Sequence, residues 1–192
     1  MLNRNDYDAT QIYRLPTIPY YLDTDDGMKE ALSWLYPDGF SSSTMYNSCI
    51  LAALNAKGDR WNEIVQDMNP NETTLYKSKD MLCEVDDPQG RLQRMLTTEV
   101  LNDCDNNGVP PHMLHLKKGD ICLVLRNLSK RHGLVTNKSV RILELMSSSI
   151  KVQTLDSNPK VAIIPRIRFK FRLSLGDSFQ MMRTQFPLRL AY

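Results

Sequence analysis

The sequence contains no apolar run long enough to cross a membrane and no apolar leader. Its longest apolar runs, Cys49–Leu54 and Ile121–Leu125, are far shorter than the roughly 20 residues that a spanning helix needs. Residues Met1–Ala9 are polar and acidic, so no signal peptide is predicted. We therefore expect an intracellular protein with no membrane partner.

Cysteine is scarce and none of it has the spacing of a metal site. The 192 residues include 4 cysteines and no Cys-x-x-Cys pair. Buried free thiols in a reducing compartment are the expectation for such residues. A zinc site that adds a histidine is a weaker alternative, so no metal ligand is predicted. The residues concerned are Cys49, Cys83, Cys104 and Cys122, with His112, His115 and His132.

A third absence concerns nucleotide chemistry. No Gly-x-x-x-x-Gly-Lys-Ser/Thr segment occurs, so no loop of this chain is predicted to hold nucleotide phosphates. No constellation of nucleophile, base and acid was found either. We predict neither catalytic nor cofactor-binding residues within this chain.

Charge is unevenly distributed along the chain. Residues 1–109 contain 9 Lys and Arg against 18 Asp and Glu, whereas residues 110–192 contain 15 against 4. The net charges of the two parts, −9 and +11, give the overall +2. Such asymmetry is typical of a segment that binds a polyanion. Nucleic acid is favoured over a membrane surface, because no basic amphipathic helix is visible.

The segment Lys160–Leu173 shows the most informative pattern. From Arg166 to Leu173, every second residue is a cation and the residues between them are apolar. Because a strand points successive side chains to opposite faces, the pattern predicts a buried apolar ridge and a row of cations about 6.6 Å apart. The simpler alternative is a half-buried strand whose exposed face happens to be basic.

The acidic half favours an α/β arrangement. A helix is predicted over Met28–Tyr36, with Asp25 and Asp26 as N-cap residues. The continuous apolar run Cys49–Leu54 predicts a strand covered on both faces, followed by a helix over Asp59–Met68. Arg91–Asn102 predicts a further helix.

The basic half favours short strands. Apolar runs are separated by turn-forming residues, as in a small β-barrel or sandwich. The last residues resemble one more strand. These runs are Ile121–Leu125, Val140–Leu145, Ile150–Leu155, Val161–Ile164, Ile167–Leu173 and Phe186–Tyr192.

Several separated motifs resemble those of the PIF-type and Helitron-transposon DNA helicases. They are Gly108-Val-Pro-Pro-His112, Ile164-Pro-Arg-Ile167, Arg183–Ala191, and Cys49–Ala53 followed by Asn55. Trp34–Phe40 and Leu82–Pro88 are more similar to the Helitron branch. The resemblance extends from about Met28 to Tyr192.

The resemblance implies a fold class, an α/β fragment of a RecA-like motor domain with an inserted small all-β, SH3-like barrel. Residues 1–27 would be an extended lead-in and residues 28–107 the first part of the second RecA-like domain. Residues 108–175 would be the barrel, and residues 176–192 a truncated return strand.

The family unwinds DNA in the 5′–3′ direction with ATP and Mg²⁺, so the resemblance implies a part of such a helicase and a nuclear location. Because the phosphate-binding loop is missing, the chain is not expected to hydrolyse ATP alone. It would need a first RecA-like motor domain as partner. A stand-alone nucleic-acid or protein interaction module, or an inactive transposon remnant, remains the alternative.

The predicted partner of the basic half is single-stranded DNA, contacted by cations through phosphate neutralisation. The resemblance adds Asn55 to the set. Base stacking by phenylalanines of the basic half is an alternative to a core role. The predicted DNA-binding residues are Lys117, Lys118, Arg126, Lys130, Arg131, Arg166, Arg168, Lys170, Arg172 and Asn55.

Overall fold

The computed structural model describes residues 24–37, 50–83, 94, 96–102, 108–175 and 177–192. Within these ranges the helices are α1 (Asp25–Leu35), α2 (Asn55–Met68) and α3 (Thr98–Asn102). The strands are β1 (Thr73–Lys77), β2 (Lys79–Leu82), β3 (Met113–Lys117), β4 (Ile121–Val124), β5 (Ser139–Leu145), β6 (Ser149–Thr154), β7 (Val161–Pro165), β8 (Ile167–Leu175), β9 (Asp177–Gln185) and β10 (Leu188–Leu190). The fold is therefore rich in sheet and has few helices.

The largest sheet is antiparallel and has five strands in the order β10-β4-β5-β6-β7. Alternate residues of its strands fill the main core, and each fully buried aliphatic side chain stabilises the fold by about 1.5–3 kcal/mol. Fully buried examples are Val140, Ile142, Ile150, Val152 and Ile164. The strands predicted between residues 121 and 173, and the strand in the tail, are confirmed.

A second sheet has three antiparallel strands in the order β2-β9-β8. Strands β8 and β9 form a long hairpin, paired from Ile167↔Gln185 to Leu175↔Asp177. Strand β1 pairs separately with β3. The sequence did not predict β1, β2, β3 or β9. Strands β1, β2 and β9 lack a clear apolar ridge, and β3 is only 5 residues long.

Two strands that precede the basic half join its strands, and the last described strand forms one edge of the five-stranded sheet. Strands β1 and β2 pair with β3 and β9, and β10 pairs with β4. The terminal Tyr192 packs in a second core cluster with residues of α1 and α2. The helices are thereby fixed to the edge of the five-stranded sheet.

The prediction of a buried strand at Cys49–Leu54 is wrong for its described part. Residues 50–54 form neither strand nor helix, and Leu51 is 92% exposed. Leu54 has extended backbone angles and serves as the N-cap of α2. An apolar run cannot form a covered strand without neighbouring strands, and no described strand pairs with it.

The predicted helices are largely confirmed, with corrected boundaries. Thr24, and not Asp25 or Asp26, is the N-cap of α1, because its Oγ1 accepts a hydrogen bond from the Gly27 amide. Both aspartates lie in the first turn, where the helix dipole favours negative charge. A helix was also predicted over Arg91–Asn102, and α3 confirms its last residues. Residues 91–93 and 95 of that prediction lie outside the described residues.

Candidate nucleic-acid interface

Strand β8 has the alternation that its sequence predicts. Phe169 is 1% exposed and Phe171 is also buried, both within a third core cluster. Arg168, Lys170 and Arg172 are exposed. The phenylalanines therefore belong to the core, and the cations between them face solvent.

The exposed side of the β2-β9-β8 sheet, which we name the outer face, extends beyond β8. Paired residues of an antiparallel ladder point to the same side of a sheet. Across the three strands, Arg168 on β8 lies opposite Thr184 on β9, which lies opposite Lys79 on β2. In the same way, Lys170 lies opposite Met182, which lies opposite Met81. The described side chains of the outer face are Lys79, Met81, Arg168, Lys170, Arg172, Gln180, Met182 and Thr184.

The outer face combines positive charge with an apolar centre. Lys79 is exposed, and Met81 is exposed over 53% of its surface. None of the described side chains of this face is acidic, so no carboxylate within it neutralises the cations. Such a surface can neutralise phosphates while methionine contacts apolar parts of a ligand.

Arg166 does not continue the row of cations, although the sequence predicted it as a member. Its Nη1 donates to the Lys77 carbonyl at 2.9 Å and to Gln185 Oε1 at 3.1 Å. Its guanidinium carbon also lies 4.7 Å from the ring centre of Phe186. Arg166 therefore packs the start of β8 against the core. The alternation of the sequence does not predict this role, because the partners of Arg166 lie on other strands.

Lys117 is likewise occupied within the fold. Its Nζ donates to the carbonyls of Gln66 and Asn69, both at 2.9 Å. These carbonyls belong to the end of α2, where a positive charge is favourable. Lys117 therefore caps a helix.

The remaining predicted residues lie in separate places. Arg126 stacks over Phe169 at 5.2 Å, on the side of β8 opposite the outer face. Lys130 and Arg131 are exposed in the turn between β4 and β5, and Lys118 is exposed between β3 and β4. Asn55 is the exposed first residue of α2, not the end of a strand. The structure thus brings together only the β8 members of the predicted set.

Arg183 supports the outer face from behind. It is fully buried, and its Nε and Nη2 donate to the two oxygens of Asp80 at 3.0 and 3.1 Å. Further donations reach the carbonyls of Pro110 and Leu101. His112 Nδ1 lies 2.7 Å from Asp80 Oδ2. This network joins β2 to β9 and holds Lys79 and Met81 in line with the cations of β8.

A second buried carboxylate, Asp120, joins the helices to the basic half. Gly119 has a φ of 92°, which permits the tight turn before it. Asp120 accepts hydrogen bonds from Gln66 Nε2 at 2.6 Å and Asn69 Nδ2 at 2.7 Å. The Tyr192 hydroxyl and the Lys117 amide also donate to it. Hydrogen bonds to the Asp120 carboxylate therefore hold both the end of α2 and Tyr192 in place.

The buried carboxylate also affects neighbouring groups. Burial, with a further contribution from Asp120, raises the pKa of the Cys122 thiol well above its ordinary value. Burial and Asp120 likewise raise the pKa of Tyr192. Both groups stay protonated near neutral pH.

The thiol prediction is confirmed for Cys122, which is buried and free. Cys83 is free but only half-buried. Cys49 and Cys104 lie outside the described residues. In the part of the chain that the structure describes, no cluster of His, Cys, Asp and Glu could hold a metal ion, and no helix is long and apolar enough to span a membrane.

The fold and the outer face define a sheet-rich protein with a cationic surface suited to a polyanion. Residues 99–145 match the family model of the DNA helicase Pif1 2B domain. No curated protein matches the chain. The predicted relation to PIF-type helicases is confirmed by this match together with the structural similarities below. The Helitron link stays a prediction.

Solved structures of Pif1 helicases share the fold. The helicase from Candida albicans is 14% identical with a TM-score of 0.51, over 88% of this chain and 40% of that one. Bacteroides Pif1 bound to ssDNA is 20% identical with a TM-score of 0.50, over 88% and 34%. The complex of Bacteroides Pif1 with ADP-AlF3 and ssDNA is 18% identical with a TM-score of 0.51, over 88% and 35%. The chain thus spans about a third to two fifths of these helicases.

Proposed function

We propose that this chain contributes single-stranded DNA binding and duplex separation to an ATP-dependent 5′–3′ DNA helicase of the PIF type. The observation that carries the proposal is the outer face, which aligns Arg168, Lys170 and Arg172 beside Lys79 without a described acidic neighbour. Two of the similar Bacteroides Pif1 structures contain ssDNA, which favours this polyanion over others.

The proposal includes a division of the chain. Residues 28–107 would begin a RecA-like motor domain, residues 108–175 would form an SH3-like barrel, and residues 176–192 would return towards the motor domain. Tyr192 packs with α1 and α2, and Arg189 Nη2 pairs with Asp59 of α2 at 2.9 Å, which supports a return at the end of this segment. Strands β9 and β10 themselves pair with β8 and β4 of the basic half. The Helitron origin and the nuclear location remain part of the proposal.

The described residues do not fit ATP and Mg²⁺. The sequence has no phosphate-binding loop, and the described part holds no carboxylate cluster for a metal. We propose that a first RecA-like motor domain supplies this chemistry. The work of the present residues is to hold phosphates and to keep the outer face rigid through Arg183.

The salt dependence of DNA binding tests the proposed function. With about four phosphates neutralised on single-stranded DNA, the logarithm of the affinity should fall against the logarithm of salt concentration with a slope near −3 (roughly −0.7 per contact). We would measure fluorescence anisotropy of a labelled oligothymidine with the full chain. The matched control is a peptide nucleic acid of the same sequence, which lacks phosphates and should not bind. A salt-independent affinity for DNA, or no binding at low salt, would contradict the proposal.

A further inference from the structure

The far edge of the five-stranded sheet presents a surface that the DNA proposal does not use. Strand β7 is the last strand of this sheet, and no described strand pairs with its other edge. Two of its apolar side chains face solvent, since Val161 is 48% and Ile163 is 61% exposed. Unpaired strand edges offer backbone donors and acceptors to another chain, and proteins commonly protect them.

An apolar groove lies beside this strand. It has a volume of about 350 Å³ and lies between β7 and the turn that follows β4. Its lining is mainly apolar and includes Leu128, Leu134, Ile163, Pro165 and Ile167. The groove can therefore take an apolar side chain of a ligand that runs along β7.

The turn that borders the groove carries positive charge next to it. Lys130 and Arg131 are exposed, and the Lys160 Nζ donates to the Arg131 carbonyl at 3.1 Å, which fixes the turn near the start of β7. The nearby carboxylate of Asp156 is already paired with Lys138. A ligand that carries acidic residues next to its apolar residue would complement this arrangement.

We propose that the β7 edge binds an extended acidic peptide segment of a partner protein. The segment adds as a strand to β7, places an apolar residue in the groove and directs Asp or Glu side chains towards Lys130, Arg131 and Lys160. Main-chain hydrogen bonds supply affinity in such strand addition, and the side-chain pockets supply specificity. A peptide is favoured over DNA here because the groove is apolar and adjoins an open strand edge.

The test uses random decapeptides displayed on phage and selected against the full chain. We expect enriched peptides in which acidic residues flank an apolar residue. Resynthesised as labelled peptides, they should bind the Ile163→Glu variant at least about tenfold more weakly, because the substitution removes an apolar side chain from the groove and places a negative charge beside the acidic peptide. The Leu75→Glu variant is the matched control, since it introduces the same charge at an exposed apolar residue of β1 that belongs neither to the groove nor to the outer face.

Five outcomes would overturn this proposal. The selection yields no enriched peptide, or the enriched peptides are not acidic. The two glutamate variants weaken peptide binding equally. An oligothymidine displaces the peptide from the wild-type chain, which assigns the β7 edge to DNA. The chain dimerises in sedimentation experiments and Ile163→Glu abolishes the dimer, which assigns the edge to a second copy.

Discussion

Replacing Arg183 by methionine should lower the free energy of unfolding by about 3–5 kcal/mol, the usual cost of removing one partner of a buried ion pair. Arg183 is fully buried, and the Asp80 side chain that it contacts is 2% exposed. Methionine fills much of the arginine volume but donates no hydrogen bond. The substitution therefore leaves the buried carboxylate of Asp80 with only the Ser78 hydroxyl and His112 as partners, and it removes the donor of two backbone carbonyls. Urea denaturation followed by circular dichroism measures the effect.

The matched control for Arg183→Met is Arg168→Met in the same hairpin. Arg168 is exposed, so its loss should change the free energy of unfolding by no more than about 0.5 kcal/mol. A double variant, Asp80→Leu with Arg183→Met, should be more stable than Arg183→Met alone, because it removes the unpaired charge. Equal effects of the two single methionine variants would mean that the Arg183 network does not hold the sheet together.

The Asp120→Ala substitution should lower the free energy of unfolding by about 3 kcal/mol or more. The change removes a buried acceptor from the Tyr192 hydroxyl and from the side-chain amides of Gln66 and Asn69, which keep only one backbone carbonyl each. Each buried donor without a partner costs about 1–3 kcal/mol. Because three separate parts of the chain meet at Asp120, amide hydrogen exchange should also accelerate in α2.

Asp67→Ala provides the control for Asp120→Ala. Asp67 is exposed on α2, one residue from Gln66, and has the same side chain. Its removal should leave both the stability and the hydrogen exchange of α2 nearly unchanged. If Asp120→Ala were as mild as Asp67→Ala, the junction between the helices and the basic half would not depend on this carboxylate.

The sequence predicted those parts of the fold that show a regular period. Strand β8 alternates cations and apolar residues, and the structure confirms both its conformation and its buried phenylalanines. Strands β1, β2, β3 and β9 were missed because their burial depends on partners elsewhere in the chain. The apolar run at Cys49–Leu54 was misassigned for the same reason, since residues 50–54 have no strand beside them.

Of the outer face, the sequence predicted only the three exposed cations of β8. Sequence alternation places Arg166 and Arg168 on the same side, but it does not show that Arg166 reaches the Lys77 carbonyl, 89 positions away. The buried Arg183 was not predicted to have a role, because its carboxylate partner is 103 positions away and charged residues are ordinarily exposed. Lys79 and Met81 were missed with β2, since nothing local aligns them with β8.

The most direct test of the central claim compares two triple variants of the full chain in DNA binding. The first replaces Arg168, Lys170 and Arg172 by glutamine, and the second replaces Lys118, Lys130 and Arg131 by glutamine. Both remove three positive charges, but only the first alters the outer face. We expect the first variant to reduce the steepness of the salt dependence by about 2 (roughly 0.7 per lost contact) and the second to keep the wild-type slope. Equal losses in the two variants would contradict a DNA site on the outer face and would attribute binding to net charge alone.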